Sequence, residues 1–298
     1  MKPMLLALPG AQAFAARLAA CLPYETGELE IHRFPDGESC PRFPPGVAGR
    51  DVLLVAALDR PDEKFMALYL AAGVAGELGA RSVGLVAPYL PYMRQDAVFA
   101  PGQGVTARHF ARLVSGCCDY MVTVDPHLHR FHSLDQIYTI ATEVVPAAPA
   151  IAAWIAANVA QPVVVGPDEE SGQWVAQVAA LAGCPSTVLS KVRSGDRAVA
   201  VSAPAAQLLA GRTPVLVDDI VSTARTMIAA SGQLQRAGGM APVYVGVHAL
   251  FADDAYAALQ AAGPGRIVTC NTVAHASNAI DVAPGLAAAA ARLLAARG

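Results

Sequence analysis

The residues best equipped for chemistry lie in one stretch, Val215 to Met227, reading Val-Leu-Val-Asp-Asp-Ile-Val-Ser-Thr-Ala-Arg-Thr-Met. Asp218 and Asp219 offer adjacent carboxylates, which suit the vicinal hydroxyls of a sugar or a magnesium ion. Ser222, Thr223 and Thr226 offer hydroxyls at an expected helix start, where free N–H groups and the helix dipole favour a phosphate dianion. The apolar run Val215-Leu216-Val217 is expected to be a parallel strand covered on both faces, delivering the acid pair to its carboxyl end. Gly238-Gly239 then supplies a helix stop. An acid pair that merely ends a strand and hydroxyls that merely cap a helix explain each residue alone. They do not explain strand, acid pair and hydroxyl loop in this order.

Other segments place polar groups after expected strands. In Arg33-Phe34-Pro35-Asp36-Gly37-Glu38 the Pro-Asp-Gly triplet is turn chemistry between strands. Standing alone, the segment is simply such a turn. Pro88-Tyr89-Leu90-Pro91-Tyr92-Met93-Arg94-Gln95-Asp96 follows the apolar run Ser82–Pro88 and by itself reads as a rigid Pro-rich loop with surface charges. The strand Tyr120–Val124 runs into Asp125-Pro126-His127-Leu128-His129, with Asp and His two apart, a pattern able to serve magnesium and phosphate. Gly166-Pro167-Asp168-Glu169-Glu170 follows Val163–Val165, and Ser190-Lys191-Val192-Arg193-Ser194-Gly195-Asp196 follows Thr187–Leu189. Acids at a helix start are ordinary, which accounts for Glu169 and Glu170 better than for Asp168. The last segment has the composition of a solvated loop, with two cations.

Taken together these segments resemble the ribose-phosphate pyrophosphokinases, at least five motifs appearing in that family's order over essentially the whole chain. The Val215–Met227 stretch is also similar to the phosphoribosyl-pyrophosphate loop of type I phosphoribosyltransferases. The resemblance implies that Phe34, Asp36, Gly37, Glu38, Arg94, Gln95 and His127 serve ATP. The Phe34–Glu38 segment would reach the site of a neighbouring subunit, so a homo-oligomer with a shared ATP site is expected. It implies further that Lys191 and Arg193 are the catalytic cations. Ribose 5-phosphate falls to Arg193, Asp218, Asp219, Ser222, Thr223, Ala224, Arg225 and Thr226. Mg²⁺ is the implied cofactor, with His127 and Asp168 as ligands. Two departures mark a divergent member: Arg225 stands where the family usually has Gly, and Leu128-His129-Arg130-Phe131-His132 replaces its usual continuation. The implied activity is transfer of the β,γ-diphosphoryl group of ATP to the C1 hydroxyl of ribose 5-phosphate. The alternatives are a phosphoribosyltransferase acting on a nucleobase and a catalytically silent regulatory paralogue.

To position these groups the chain must alternate strands and helices. The expected fold is α/β, two tandem phosphoribosyltransferase-like domains of mainly parallel sheet flanked by helices, residues 1–146 and 147–298. Pro146–Pro149 is expected to connect them, with the last helix packing back on the first domain. An internal repeat supports related halves: strand, Pro61-Asp62-Glu63, helix, Leu78-Gly79-Ala80, strand recurs as strand, Pro167-Asp168-Glu169, helix, Ala182-Gly183-Cys184, strand. With 54% hydrophobic and 15% charged residues the 298-residue chain has ample core material. A net charge of -3 gives no footprint for nucleic acid or an anionic membrane. The six cysteines lack zinc spacing and are expected to be reduced core residues. No apolar run approaches the ~20 residues of a membrane span and no signal pattern opens the chain, so a cytoplasmic protein is expected.

Overall fold

Short runs such as Asp51–Val55, Ser82–Ala87 and Tyr120–Val124 are buried along their whole length, the mark of parallel strands covered on both faces. The computed structural model, which describes residues 1–168, 171–189, 207–236 and 239–297, gathers them into two compact units. Unit 1 comprises Met1–Val145 and Val282–Gly298, and unit 2 comprises Pro146–Asp281. No helix among the described residues is long and apolar enough to cross a membrane.

Unit 1 contains β1 (Met4–Ala7), α1 (Gln12–Ala20), β2 (Glu25–Gly27), β3 (Glu30–Arg33), β4 (Ser39–Arg42), β5 (Asp51–Val55), α2 (Pro61–Glu77), β6 (Ser82–Ala87), α3 (Thr106–Ser115), β7 (Tyr120–Val124) and β8 (Ala141–Val145). Its parallel sheet has the order β2-β1-β5-β6-β7-β8. β3 and β4 form a separate antiparallel hairpin, Glu30 opposite Arg42 and Arg33 opposite Ser39. The core lies between the sheet and its helices, with Leu6, Leu54, Leu68, Leu85 and Met121 buried.

Unit 2 contains α4 (Ala148–Asn158), β9 (Pro162–Gly166), α5 (Gly172–Ala182), β10 (Ser186–Val188), β11 (Thr213–Val221), α6 (Arg225–Arg236), β12 (Val243–Ala249), α7 (Ala255–Ala261), β13 (Arg266–Cys270) and β14 (Asn278–Ile280). Its sheet order, β10-β9-β11-β12-β13-β14, repeats that of unit 1 place for place. The last helix, α8 (Ala283–Ala295), returns to unit 1, where it packs on α1, β7 and β8. Its Arg292 pairs with Glu143, and Arg297 just beyond it reaches Asp119 at 3.2 Å.

The division between the units falls at Pro146, within the expected connection, and Pro149 already sits in the first turn of α4, where its fixed φ and missing N–H are tolerated. Two expectations need correcting. The repeat seen in the sequence matches β5–α2–β6 to β9–α5–β10, yet β6 is an interior strand and β10 an edge strand. By position β1 answers to β9 and β5 to β11. The shared pattern of strand, Pro-Asp-Glu, helix and small-residue turn belongs to any βαβ unit and carries no address. The cysteines, finally, are free, but Cys21 and Cys40 are exposed rather than in the core.

Candidate functional site

β11 does not stop at Val217. It continues to Val221 because β12 pairs it throughout, Asp218 lying opposite Gly246 and Ile220 opposite His248. On the other side β9 pairs it only as far as Leu216. Asp218 and Asp219 are therefore inside the strand but past the end of β9. The connection from β9 runs through α5 to β10 on one side, while β11 to β14 lie on the other. This is the crevice where open α/β sheets bind ligands.

Asp168 lies on the same crevice, two residues after β9. Gly166 makes this possible: a Cβ there would collide with Ser171 and Val175, so α5 can start close against the strand. Asp168 Oδ1 accepts the Ser171 N–H at 3.1 Å, and Ser171 Oγ donates to the Asp168 carbonyl at 2.6 Å. The ordinary helix-start role expected of Glu169 and Glu170 thus falls at least partly to Asp168; those two lie outside the described residues. Burial, the neighbouring Asp219 and then Asp168 push the Asp218 carboxyl up to about 8. Asp218 also accepts the Asp219 N–H at 3.0 Å, which offsets part of the repulsion. Asp219 and Asp168 thus both act on the Asp218 carboxyl through their charge.

After Val221 the chain turns through Ser222, Thr223 and Ala224 into α6. Ala224 is buried with φ 56°, and its carbonyl accepts the Ile228 N–H at 2.9 Å. Thr223, Arg225 and Thr226 are exposed at the helix N-terminus, whereas Met227 points into the core. The loop after β12 holds the turn from behind. Leu250 and Phe251 donate their N–H groups to the Val221 carbonyl at 3.1 and 2.9 Å, and Ala252 donates to the Ser222 carbonyl at 3.1 Å. Phe251, Tyr256 and His275 brace that loop by mutual ring contacts of 4.5 to 5.0 Å.

In unit 1 the expected ATP-side residues occupy two loops after adjacent strands. After β6, Tyr89, Leu90 and Met93 are buried while Arg94 and Gln95 are exposed. After β7 come Asp125 and His127, with left-handed φ of 30° and 53°. The His127 N–H donates to the Asp125 carbonyl at 2.8 Å, and His129 stacks toward His127 at 6.4 Å between ring centroids. Asp96 and Arg130 join the two loops. Phe34 to Glu38 form the exposed tip of the β3–β4 hairpin, where Gly37, at φ 93°, donates to the Phe34 carbonyl at 2.9 Å.

Tyr92, Asp125, His127, Ala224, Phe251 and Asp253 are non-glycine residues with left-handed backbone, all in loops following parallel strands; Gln161 is placed otherwise. Such conformations cost roughly 1 kcal/mol or more each and concentrate where a loop must hold one shape. The position in unit 1 that answers to the acidic crevice, between β1 and β5, is a 180 Å³ cavity lined in part by Arg33 and Lys64. Both cations are engaged there, Lys64 with Asp59 at 2.5 Å and Arg33 with the Glu63 carbonyl at 3.0 Å.

The structure thus brings together Asp168, Asp218 and Asp219 in unit 2, and the Arg94–Gln95 and His127 loops in unit 1. Lys191 and Arg193 lie outside the described residues. The Asp96–Arg130 contact was missed in the sequence because its partners are 34 residues apart. The left-handed Ala224 was missed because alanine gives no turn signal.

Two family models and several known proteins match the chain. The N-terminal domain of ribose phosphate pyrophosphokinase matches residues 3–117, and the phosphoribosyl transferase domain matches residues 134–283. A ribose-phosphate pyrophosphokinase of Methanopyrus kandleri is 34% identical over 279 residues, covering 93% of this chain and 94% of that protein. One of Halobacterium salinarum is 34% identical over 286 residues, covering 95% and 99%. The crystal structure of phosphoribosylpyrophosphate synthetase from Mycobacterium smegmatis has the same fold, with a TM-score of 0.84 at 22% identity over 100% of both chains. The chain belongs to the ribose-phosphate pyrophosphokinase family.

Proposed function

We propose that this protein transfers the β,γ-diphosphoryl group of ATP to the C1 hydroxyl of ribose 5-phosphate, yielding 5-phosphoribosyl 1-pyrophosphate and AMP. The C1 oxygen attacks the β-phosphorus, the bond from that phosphorus to the α–β bridging oxygen breaks, and the hydroxyl proton is lost. The observation that carries this reading is the acid pair on β11 running directly into a hydroxyl-bearing helix N-terminus at the sheet's switch point. Asp218 and Asp219 accept hydrogen bonds from the ribose hydroxyls. Ser222 to Thr226 surround the 5-phosphate with N–H and O–H donors, and Arg225 adds a charge-assisted contact. Arg94, Gln95 and His127 hold ATP, with Phe34, Asp36, Gly37 and Glu38 of a neighbouring subunit completing its site. Lys191 and Arg193 stabilise the charge that builds on the transferring group, since phosphoryl transfer is mainly positioning and electrostatics.

A magnesium site fits the chain. No group of three or more His, Cys, Asp or Glu suited to a metal occurs among the described residues, which disfavours a dedicated protein cage. Magnesium asks for less: one or two protein ligands, the rest from substrate phosphates and water. Burial and the charges of Asp219 and Asp168 disfavour the ionised Asp218 carboxyl, and a nearby cation offsets that cost. Asp168 and His127 are the proposed ligands. When bound, magnesium neutralises charge on the triphosphate.

The test is AMP release by the purified protein. AMP should require both ATP and ribose 5-phosphate, and it should stop after exhaustive EDTA treatment and resume with Mg²⁺. AMP release that persists without ribose 5-phosphate, or that ignores EDTA, contradicts the reading. The named relatives, matched over 93% and 95% of the chain, favour this activity over a nucleobase transferase or a silent paralogue.

A further inference from the structure

The exposed pair Arg94-Gln95 sits in a long loop between β6 and α3, rich in Pro and Gly and so in need of anchors. On its N-terminal side Met93 is buried, and Tyr92 donates its hydroxyl proton to Asp62. The Gln95 N–H donates to the Tyr92 carbonyl at 2.9 Å, and the Gln95 carbonyl accepts the Ala107 N–H of α3 at 3.2 Å. On its C-terminal side comes Asp96, only 8% exposed. A carboxylate this far from water must be paired. Arg130, in the loop after β7, supplies two donors to it: the backbone N–H at 3.2 Å and Nη1 at 2.8 Å.

We infer that Asp96 and Arg130 are positioning residues, a clip that fixes Arg94 and Gln95 against the His127 loop so that both loops grip one ATP. The inference rests on the ATP-side reading above. The clip joins the loops of adjacent strands, and the Arg130 guanidinium also lies over the Phe99 ring at 5.3 Å, gathering the outer part of the first loop. Phe131, next in sequence, is buried and plugs the second loop into the core, with Arg108 over its ring at 5.7 Å. Arg130 itself is half exposed, so it fills no core volume and its removal leaves no cavity.

Steady-state kinetics with ATP and ribose 5-phosphate varied separately test the clip. Arg130→Ala should raise KM for ATP about 10-fold, the lower end for a hydrogen bond to a charged group because the guanidinium is half exposed. KM for ribose 5-phosphate should stay within about 2-fold, and Arg130→Lys should recover much of the loss by restoring a charged donor. Arg94→Ala is the companion measurement. If Arg94→Ala raises KM for ATP and Arg130→Ala does not, the clip is wrong and the ATP-side reading survives. If neither changes it, the ATP-side reading fails and the clip with it. If Arg130→Ala lowers Tm and kcat with both KM values unchanged, Arg130 is only structural and the inference is overturned.

Discussion

Replacing Asp218 with asparagine should make the metal-free, ligand-free protein more stable while destroying its activity. In the fold the carboxyl is pushed from its usual 3.8 to about 8 by burial, Asp219 and Asp168. At pH 7 the unfolded chain carries Asp218 ionised, whereas the fold must protonate it or bear the repulsion. At about 1.4 kcal/mol per pH unit, the interval from 3.8 to 7 sets an upper bound of roughly 4 kcal/mol. Asp218 retains some exposure, and solvent screening leaves on the order of 2 kcal/mol. The sign follows from a folded pKa above the unfolded one. The stability is fully present below about 3.8 and is lost as pH rises to about 8. Asp218→Asn removes this slope and should raise Tm by roughly 4–8 °C at pH 7 in EDTA. Mg²⁺ should stabilise the wild type more at pH 8 than at pH 6, and should do little for the variant. Thermal unfolding at pH 5, 6, 7 and 8 with EDTA is the assay. A variant with the same pH slope as wild type, or with a lower Tm at pH 7, refutes the electrostatic account of this site.

Further outcomes follow from other residues. Ala224 has φ 56° and is buried, so Ala224→Val, a β-branched residue in left-handed backbone, should cost on the order of 2 kcal/mol in chemical unfolding; an unchanged midpoint would show that the turn adapts. Arg225→Ala should raise KM for ribose 5-phosphate roughly 10-fold without altering KM for ATP, and equal changes in both would remove Arg225 from the phosphate site. Lys191→Ala should lower kcat on the order of 100-fold with KM for ribose 5-phosphate nearly unchanged, whereas a raised KM with intact kcat would make it a binding residue. If Phe34 to Glu38 complete a neighbour's site, mixing Arg94→Ala with Glu38→Ala protein should restore part of the activity; silence after proven subunit exchange argues against sharing.

The interior strands were legible because burial on both faces demands an apolar run: Tyr120–Val124 was read from sequence with its observed bounds. The edge strands of unit 1 were not. β2 is Glu-Thr-Gly, mostly exposed, and β8 is only part-buried, so neither carries an apolar signature. The end of β11 was placed too early because Asp218 and Asp219 look like the finish of a strand. Pairing with β12 carries the backbone on to Val221, a nonlocal effect that spacing does not reveal. Within the candidate site, residue types were legible and their energetics were not. That Asp168 shares one crevice with Asp218 depends on Gly166 letting α5 start close to β9. That Asp96 must be paired depends on its burial, and its partner belongs to another strand's loop.

On the proposed reaction a diphosphoryl group moves as one unit to C1 of ribose 5-phosphate. Phosphorus and carbon NMR of a reaction with [1-¹³C]ribose 5-phosphate, ATP and Mg²⁺ observes this bond directly. AMP and a C1-linked diphosphate should rise together in equal amounts, with no ADP accumulating and with the labelled carbon split by the new phosphorus neighbour. Accumulation of ADP with a C1 monophosphate, or AMP formed while the C1 signal stays unchanged, would contradict the account.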